Sequence, residues 1–275
     1  MAEHVFDRYL RADKLKTMWC PGCGNGIVLQ AIIRALDESG VDQDKVVIVS
    51  GVGCSSRAVN YLDACGLHTN HGRPIAYATG VKMANPELTV IVITGDGDCA
   101  SIGGNHFIHG CRRNIDLTVV CMNNDNYGMT GGQYSPTTPE GSLTKTSVYG
   151  SYEPPFDLCE LAAGAGATYV ARGLTYYPVQ LKNAILKGIQ HKGFSFIDAM
   201  SDCVSLYGRL NKLGDASAML KRWEGISVST AKAKNMSEDE LCGKVVYGEF
   251  INNDALPEYT QRYAEVIRKA QEVTR

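Results

Sequence analysis

The sequence predicts an α/β protein built on a doubly wound parallel sheet, with a C-terminal extension. Three observations carry that expectation. Short apolar runs rich in β-branched residues, at 87–94 and 116–122, read as strands buried on both faces. Segments with apolar residues at helical spacing alternate with them, the order of a parallel sheet joined by helical crossovers. The 275 residues are 44% hydrophobic, ample for one large core.

The elements follow in order. Residues 20–24, Cys-Pro-Gly-Cys-Gly, form a turn that leads into an apolar helix over 27–36. A strand at 45–50 ends at Gly51-Val52-Gly53-Cys54. A helix over 76–83 stops near Pro86, since the residue before a proline resists the helical conformation. The strand 87–94 runs into the acidic turn Gly95-Asp96-Gly97-Asp98, then a helix, then the strand 116–122 and the pair Asn123-Asn124. Residues 123–155 are polar and lack a regular pattern, and a loop that long inside a compact domain is usually functional. A helix at 156–164, a strand at 168–172, a helix at 177–191 and a strand at 194–200 complete the alternation. That last strand points at Cys203. The α/β domain therefore covers residues 1–208. Beyond it, residues 209–275 turn polar and charged and read as a lid or partner-binding arm, ending in an amphipathic helix over 258–274.

Composition excludes several function classes. A net charge of −2 offers no reason to expect nucleic acid or an anionic membrane as partner. No apolar run approaches the ~20 residues of a membrane span, and the N-terminus has no signal-peptide core. Ten cysteines without an export signal belong in a reducing cytoplasm, as thiols or metal ligands.

The chemistry gathers at the strand ends. Asp96 and Asn124 follow two parallel strands joined by one helix, and in an open α/β sheet ligands bind at that edge. Carboxylate and amide oxygens suit Mg²⁺, which holds phosphates, while glycines let backbone N–H groups approach a diphosphate. The blander alternative makes Asp96 a helix cap and the Asn pair a plain turn.

Cys20-Pro21-Gly22-Cys23 reads as a redox pair, half a zinc site or half an iron–sulfur site. No strand precedes it, against a redox pair, and no second such motif or paired histidines complete a zinc site. Cys54 and Cys203 each lie just past a strand end, and four thiolates converging there would suit a [4Fe–4S] cluster. Spacing alone does not select these four from ten. Cys65, Cys99, Cys111, Cys121, Cys159 and Cys242 compete, although Cys111 and Cys121 sit within a helix and a strand, the ordinary setting of a buried free thiol.

Gly-Asp-Gly followed by Asn-Asn resembles the thiamine diphosphate fingerprint. With Trp19-Cys20-Pro21-Gly22-Cys23-Gly24, Gly51-Val52-Gly53-Cys54-Ser55-Ser56, Leu67-His68-Thr69-Asn70-His71-Gly72-Arg73 and Asn126-Tyr127-Gly128-Met129-Thr130-Gly131-Gly132-Gln133, it resembles the β subunit of a 2-oxoacid:ferredoxin oxidoreductase over residues 15–210. The last motif is most similar to the 2-oxoglutarate branch, with pyruvate the rival substrate. The resemblance implies a sheet of the thiamine diphosphate-binding type. It implies Mg²⁺ held by the side chains of Asp96 and Asn124 and the backbone carbonyl of Asn126. It implies a cofactor wall of Gly53, Ser55, Gly95, Gly97, Asp98, Tyr127, Gly128, Met129 and Thr130. Cys20, Cys23, Cys54 and Cys203 are implied as ligands of one [4Fe–4S] cluster; the run Cys-x₂-Cys-x₂-Cys of multi-cluster relatives is absent.

The implied activity oxidatively decarboxylates a 2-oxoacid with coenzyme A to an acyl-CoA, here succinyl-CoA, and passes electrons through the cluster to ferredoxin. An α subunit supplies the activating glutamate and most of the coenzyme A site in an (αβ)₂ assembly, so the chain alone is expected to be inactive. His71 has either a cofactor-facing or a structural role. Arg57, one turn after Cys54, either grips a distal carboxylate through two parallel hydrogen bonds or caps a turn and pairs with Asp63. The resemblance favours the first. Two other functions compete. A non-oxidative thiamine lyase needs no thiolates at this edge, and a non-catalytic iron–sulfur or zinc carrier needs no thiamine.

Overall fold

The apolar runs of the sequence become the strands of one twisted sheet in the computed structural model, which describes residues 4–273. Thr274, the last residue of the expected terminal helix, lies outside the described residues, as do residues 1–3 of the N-terminal segment. The strands are β1 (Val46–Ser50), β2 (Cys65–His68), β3 (Thr89–Gly95), β4 (Leu117–Asn123), the short hairpin β5 (Asn126–Tyr127) and β6 (Gln133–Tyr134), β7 (Tyr169–Leu174), β8 (Phe194–Met200), β9 (Ser227–Ser229) and β10 (Val245–Asn252). All but the hairpin join one sheet in the order β2-β1-β3-β4-β8-β7-β10-β9. The six strands from β2 to β7 in that order are parallel.

Helices cover both faces, which is why β1, β4 and β8 are buried along their whole length. On one face the helices Asn25–Ser39 and Pro178–Gln190 press Ile32 and Ile185 toward Ile48, Ile93 and Ile197. On the other, Pro74–Ala84, Gly104–Arg113 and Leu158–Gly164 pack Ile75, Phe107 and Ala162 with Val49, Val92 and Phe196. Neighbours such as Ile48 and Val49 serve opposite faces because strand side chains alternate. From β1 the chain steps outward to β2 and returns to β3 on the other side. The crevice above β1 and β3 is therefore the topological switch point, where open sheets bind ligands.

Two parts of the sheet were not expected. β2 is Cys-Gly-Leu-His, a mostly exposed edge with neither apolar run nor alternation; its backbone pairing with β1 forms it. In the stretch after Gly208, β10 pairs antiparallel with β7, with a register shift between Glu249 and Ile251, and β9 pairs with β10. Residues 209–273 thus widen the sheet as well as extending from it, and Trp223 is buried with Leu174 and Met200. Val245-Val246-Tyr247 was the available signal, diluted by Lys244 and Glu249. The helix Tyr259–Val273 is exposed from Gln261 to Glu272. Among the described residues no helix is long and apolar enough to cross a membrane.

A charge trio, with Arg172 and Asp198 buried and Asp157 at the surface, ties β7 to β8. Arg172 donates to Asp198 at 2.9 Å and to Asp157 at 2.7 Å. Burial pushes the Asp198 carboxyl up, while Asp157, despite its partial burial, is held below its ordinary range by Arg172. Removing the cation strands the buried Asp198 carboxylate, so Arg172→Met should lose about 3–5 kcal/mol of stability at neutral pH. Without Arg172 both folded-state carboxyl pKa values lie higher, so the deficit should shrink on acidification through the carboxylate range. Urea melts at neutral and acidic pH read this; a deficit unchanged by pH would mean that lost packing, not charge, sets the cost.

Candidate active site

The loops after β1, β3 and β4 surround a cavity of about 190 Å³. Gly53, Ser55, Gly95, Asp96, Gly97, Asp98, Asn124, Asn126, Tyr127, Gly128, Met129 and Thr130 all line it, together with His71 and Cys54. Every residue expected in the cofactor wall is thus at one place. Val52 and Met122, which were not expected, also line it. The glycines are required by contact. A Cβ on Gly97 would fall 2.2 Å from the Tyr127 ring, so any larger residue would push the two walls apart.

Asp96 is 2% exposed yet makes no capping hydrogen bond to the helical turn that follows it. That observation removes the bland alternative of a helix cap. Its Oδ2 accepts a bond of 3.0 Å from the Thr137 hydroxyl, and burial pushes its carboxyl up to about 6. Beside it, the Asn126 amide donates to the Asn124 carbonyl at 2.8 Å, while Asn126 Oδ1 is buried without a partner. A desolvated carboxylate, an amide side chain and an orphaned amide oxygen form a donor set that fits a hard divalent cation, with the Asn126 side-chain oxygen the unpartnered atom where its backbone carbonyl was the expected ligand. Thr137 was missed in the sequence; it reaches back from the long loop, whose length was its only signal.

Asp98 has a further task besides lining the cavity. Its carboxylate accepts from the N–H groups of Gly72 at 2.7 Å and Val52 at 3.3 Å, and from the Thr94 hydroxyl at 2.8 Å. His71 Nδ1 lies 2.6 Å away and donates to it, since a carboxylate only accepts. Asp98 therefore pins the Gly51–Cys54 turn to the His71 loop. This bond fixes the orientation of the His71 ring.

The four singled-out cysteines converge on the same edge. Gly24 N–H donates to Asp202 O at 3.1 Å, joining the Cys20–Cys23 turn to the end of β8. The Trp19 indole donates to Cys54 O at 2.7 Å. A Cβ on Gly128 would lie 3.5 Å from Cys54 Sγ and 3.7 Å from Cys203 Sγ, so these thiols flank the cofactor loop. Burial pushes the Cys23 thiol up to about 12, and the charges of Cys203, Cys54 and Cys20 act in the same direction. Burial, then Cys203 and Cys20, likewise raise Cys54. Of the other six, Cys99, Cys111, Cys121 and Cys159 are buried in the core, and Cys65 and Cys242 are exposed elsewhere. Among the described residues no three His, Cys, Asp or Glu side chains close around a single ion.

Arg57 lies in the short turn Ser55–Asn60, where its N–H donates to Cys54 O at 3.3 Å. It does not line the cavity. Its Nε is buried without a partner, and its charge lowers the Cys54 pKa. Pairing with Asp63 does not occur: Asp63 faces Arg11 at 3.8 Å.

Comparison with known proteins agrees with this geometry. Residues 51–199 match the thiamine pyrophosphate enzyme family, C-terminal TPP binding domain. The chain is 53% identical over 266 residues to the 2-oxoglutarate synthase subunit KorB of Methanocaldococcus jannaschii, covering 97% of this chain and 98% of the relative. It is 40% identical over 263 residues to the 2-oxoacid:ferredoxin oxidoreductase subunit beta of Saccharolobus solfataricus, covering 90% and 85%. A solved 2-oxoglutarate:ferredoxin oxidoreductase from Magnetococcus marinus, with 2-oxoglutarate, coenzyme A and succinyl-CoA bound, superposes with a TM-score of 0.87. That alignment has 32% identity and covers 98% of this chain and 92% of the other.

Proposed function

Because this chain belongs to the thiamine diphosphate-binding β subunits of the 2-oxoacid:ferredoxin oxidoreductases and is most like the 2-oxoglutarate branch, we propose that it serves the oxidative decarboxylation of 2-oxoglutarate to succinyl-CoA and CO₂. The observation that carries the reading is the buried, uncapped Asp96 carboxylate beside Asn124 and the orphaned Asn126 oxygen. These residues would hold Mg²⁺, and through it the diphosphate, while Tyr127 to Thr130 wrap the ligand. Bound thiamine diphosphate would supply the electron sink that loss of CO₂ requires. His71, held by Asp98, would offer Nε2 as a hydrogen-bonding group in the cavity. Cys20, Cys23, Cys54 and Cys203 would hold one [4Fe–4S] cluster, so that the two electrons of the oxidation leave singly to ferredoxin.

A second chain is part of this reading. A cavity of about 190 Å³ is smaller than the roughly 300–1,000 Å³ of a site that encloses a drug-sized ligand. An α subunit would close it, bring the activating glutamate and the coenzyme A site, and assemble as (αβ)₂. The test is ferredoxin reduction by the co-expressed pair, dependent on 2-oxoglutarate, coenzyme A and thiamine diphosphate. Full activity from iron-free protein would sink the oxidative reading in favour of a non-oxidative lyase.

Arg57 would read the distal carboxylate of the substrate through its unpartnered donor. Arg57→Ala is expected to lose about 1.5–3 kcal/mol of binding to 2-oxoglutarate, the range for a hydrogen bond to a charged group. With 2-oxobutyrate, which lacks that carboxylate, the loss should be much smaller. Equal losses would assign Arg57 to the cysteine site alone.

A further inference from the structure

Cys20 is the exposed member of the four cysteines at the sheet edge; the other three are half-buried. Three segments frame it. Leu15 and Met18, just before it, are 50% and 59% exposed and give the surface an apolar centre. The turn after Cys203 packs on the other side, where a Cβ on Gly22 would lie 3.6 Å from Val204 and 2.4 Å from Ala216. The cofactor loop closes the third side: Gly132 lies against Leu206, and Lys145 N–H donates to Gly132 O at 2.8 Å.

Each of the three segments carries exposed cations: Lys16, then Arg209 and Lys212, then Lys145. Among the described residues none of these four side chains has an ion-pair partner. Asp13 is paired with Lys14 at 2.8 Å and Asp215 caps the helix Ala216–Ile226, while Glu140, five residues before Lys145, is exposed. In a chain of net charge −2, exposed cations outnumber the neighbouring acids in the rim around this apolar centre.

We propose that this rim is the docking surface for a small acidic one-electron carrier protein of the ferredoxin type. The proposal rests on the four-cysteine cluster described under the proposed function. Each docking would move one electron from the reduced cluster to the oxidised carrier, so two carriers must arrive and leave for each substrate. Such turnover calls for a small interface with fast association, and opposite charges at the rim raise the encounter rate without tightening the complex unduly. Unpaired lysines and arginines supply that attraction, and Leu15 and Met18 supply the desolvated contact.

The experiment uses the purified αβ complex and a fluorescently labelled, oxidised ferredoxin, with affinity measured across ionic strength. The expected result is a Kd that rises with salt. Lys16→Glu combined with Lys212→Glu should raise Kd about tenfold or more at low salt and flatten the salt dependence. Lys145→Glu with Arg209→Glu should repeat the effect from the opposite side. Iron content, bound thiamine diphosphate and reduction of a small-molecule acceptor should stay unchanged. An iron-loaded complex whose affinity ignores both charge reversals overturns the docking surface alone. Reversals that instead split α from β on size exclusion give this face to the α subunit and also overturn it. A wild-type complex without iron overturns the cluster and the docking surface together.

Discussion

Replacing any one of Cys20, Cys23, Cys54 or Cys203 by alanine is expected to bleach the broad visible absorption and abolish ferredoxin reduction. A [4Fe–4S] cluster takes one thiolate per iron, and no other cysteine stands at this edge to substitute. Cys65 and Cys242 are exposed elsewhere, and the remaining four are buried in the core. Bound thiamine diphosphate should survive in the Cys20, Cys23 and Cys203 variants, because the residues proposed to hold it are Asp96, Asn124 and the glycine-lined walls; Cys54 itself lines the cavity. Cys121→Ala is the control: a fully buried core thiol whose loss should cost stability but leave iron untouched. Burial pushes the Cys23 thiol up to about 12 and raises Cys54, so bound iron would be what favours the thiolate at these two positions. Anaerobic iron and sulfide analysis of each variant decides the matter. Normal iron in Cys203→Ala would move the fourth ligand elsewhere, with Cys242 the first to test.

Asp96→Ala is expected to abolish cofactor retention while leaving the cluster in place. The carboxylate is desolvated, so a cation beside it and the diphosphate beyond interact in a medium that screens them poorly. Losing one partner of such a buried pair costs about 3–5 kcal/mol, roughly 10²–10⁴-fold in affinity. The expected readout is thiamine diphosphate binding by fluorescence quenching at saturating Mg²⁺; unchanged affinity would end the assignment. A companion result separates function from stability. Burial lifts the Asp96 carboxyl from 3.8 to about 6, so without ligand its charged form is a burden on the fold. Asp96→Asn apoprotein should therefore be more stable than wild type at pH 8. The gap should open between pH 3.8 and about 6 and close below that window, because only there do the folded and unfolded states hold different numbers of protons.

The core of the sheet was legible because burial on both faces leaves a mark in the chain. Val46–Ser50, Thr89–Gly95, Leu117–Asn123 and Phe194–Met200 are runs that only a covered strand tolerates. β2 left no such mark, since a Cys-Gly-Leu-His edge is formed by its neighbour's free backbone groups and not by its own side chains. β10 was masked in another way: its half-exposed surface alternates weakly, and its partner β7 lies more than 70 residues back, beyond any local pattern.

The candidate site divides along the same line. Asp96 and Asn124 could be paired from the sequence alone because a strand–turn–helix–strand unit has a fixed geometry, and residues at its two strand ends must face one crevice. Which of ten cysteines join them was not a local question. Cys20, Cys23, Cys54 and Cys203 come from three separate loops, and only the parallel packing of β1 and β8 with the N-terminal turn brings them to one edge. The roles of Asp98 and Thr137 were hidden for the same reason. Asp98 accepts from Val52, Gly72 and His71, and Thr137 reaches Asp96 from a loop some 40 residues on. The sequence by itself determined the α/β class, the strand ends that carry the oxygen donors and the glycines that clear a path to them, because helical and strand periodicity and turn chemistry act over a few residues. Tertiary structure alone decided the convergence of the four thiols on one edge, the Asp98 anchor, the partnerless Arg57 donor and the strand drawn from the C-terminal stretch, because those depend on contacts whose partners lie tens to hundreds of residues apart.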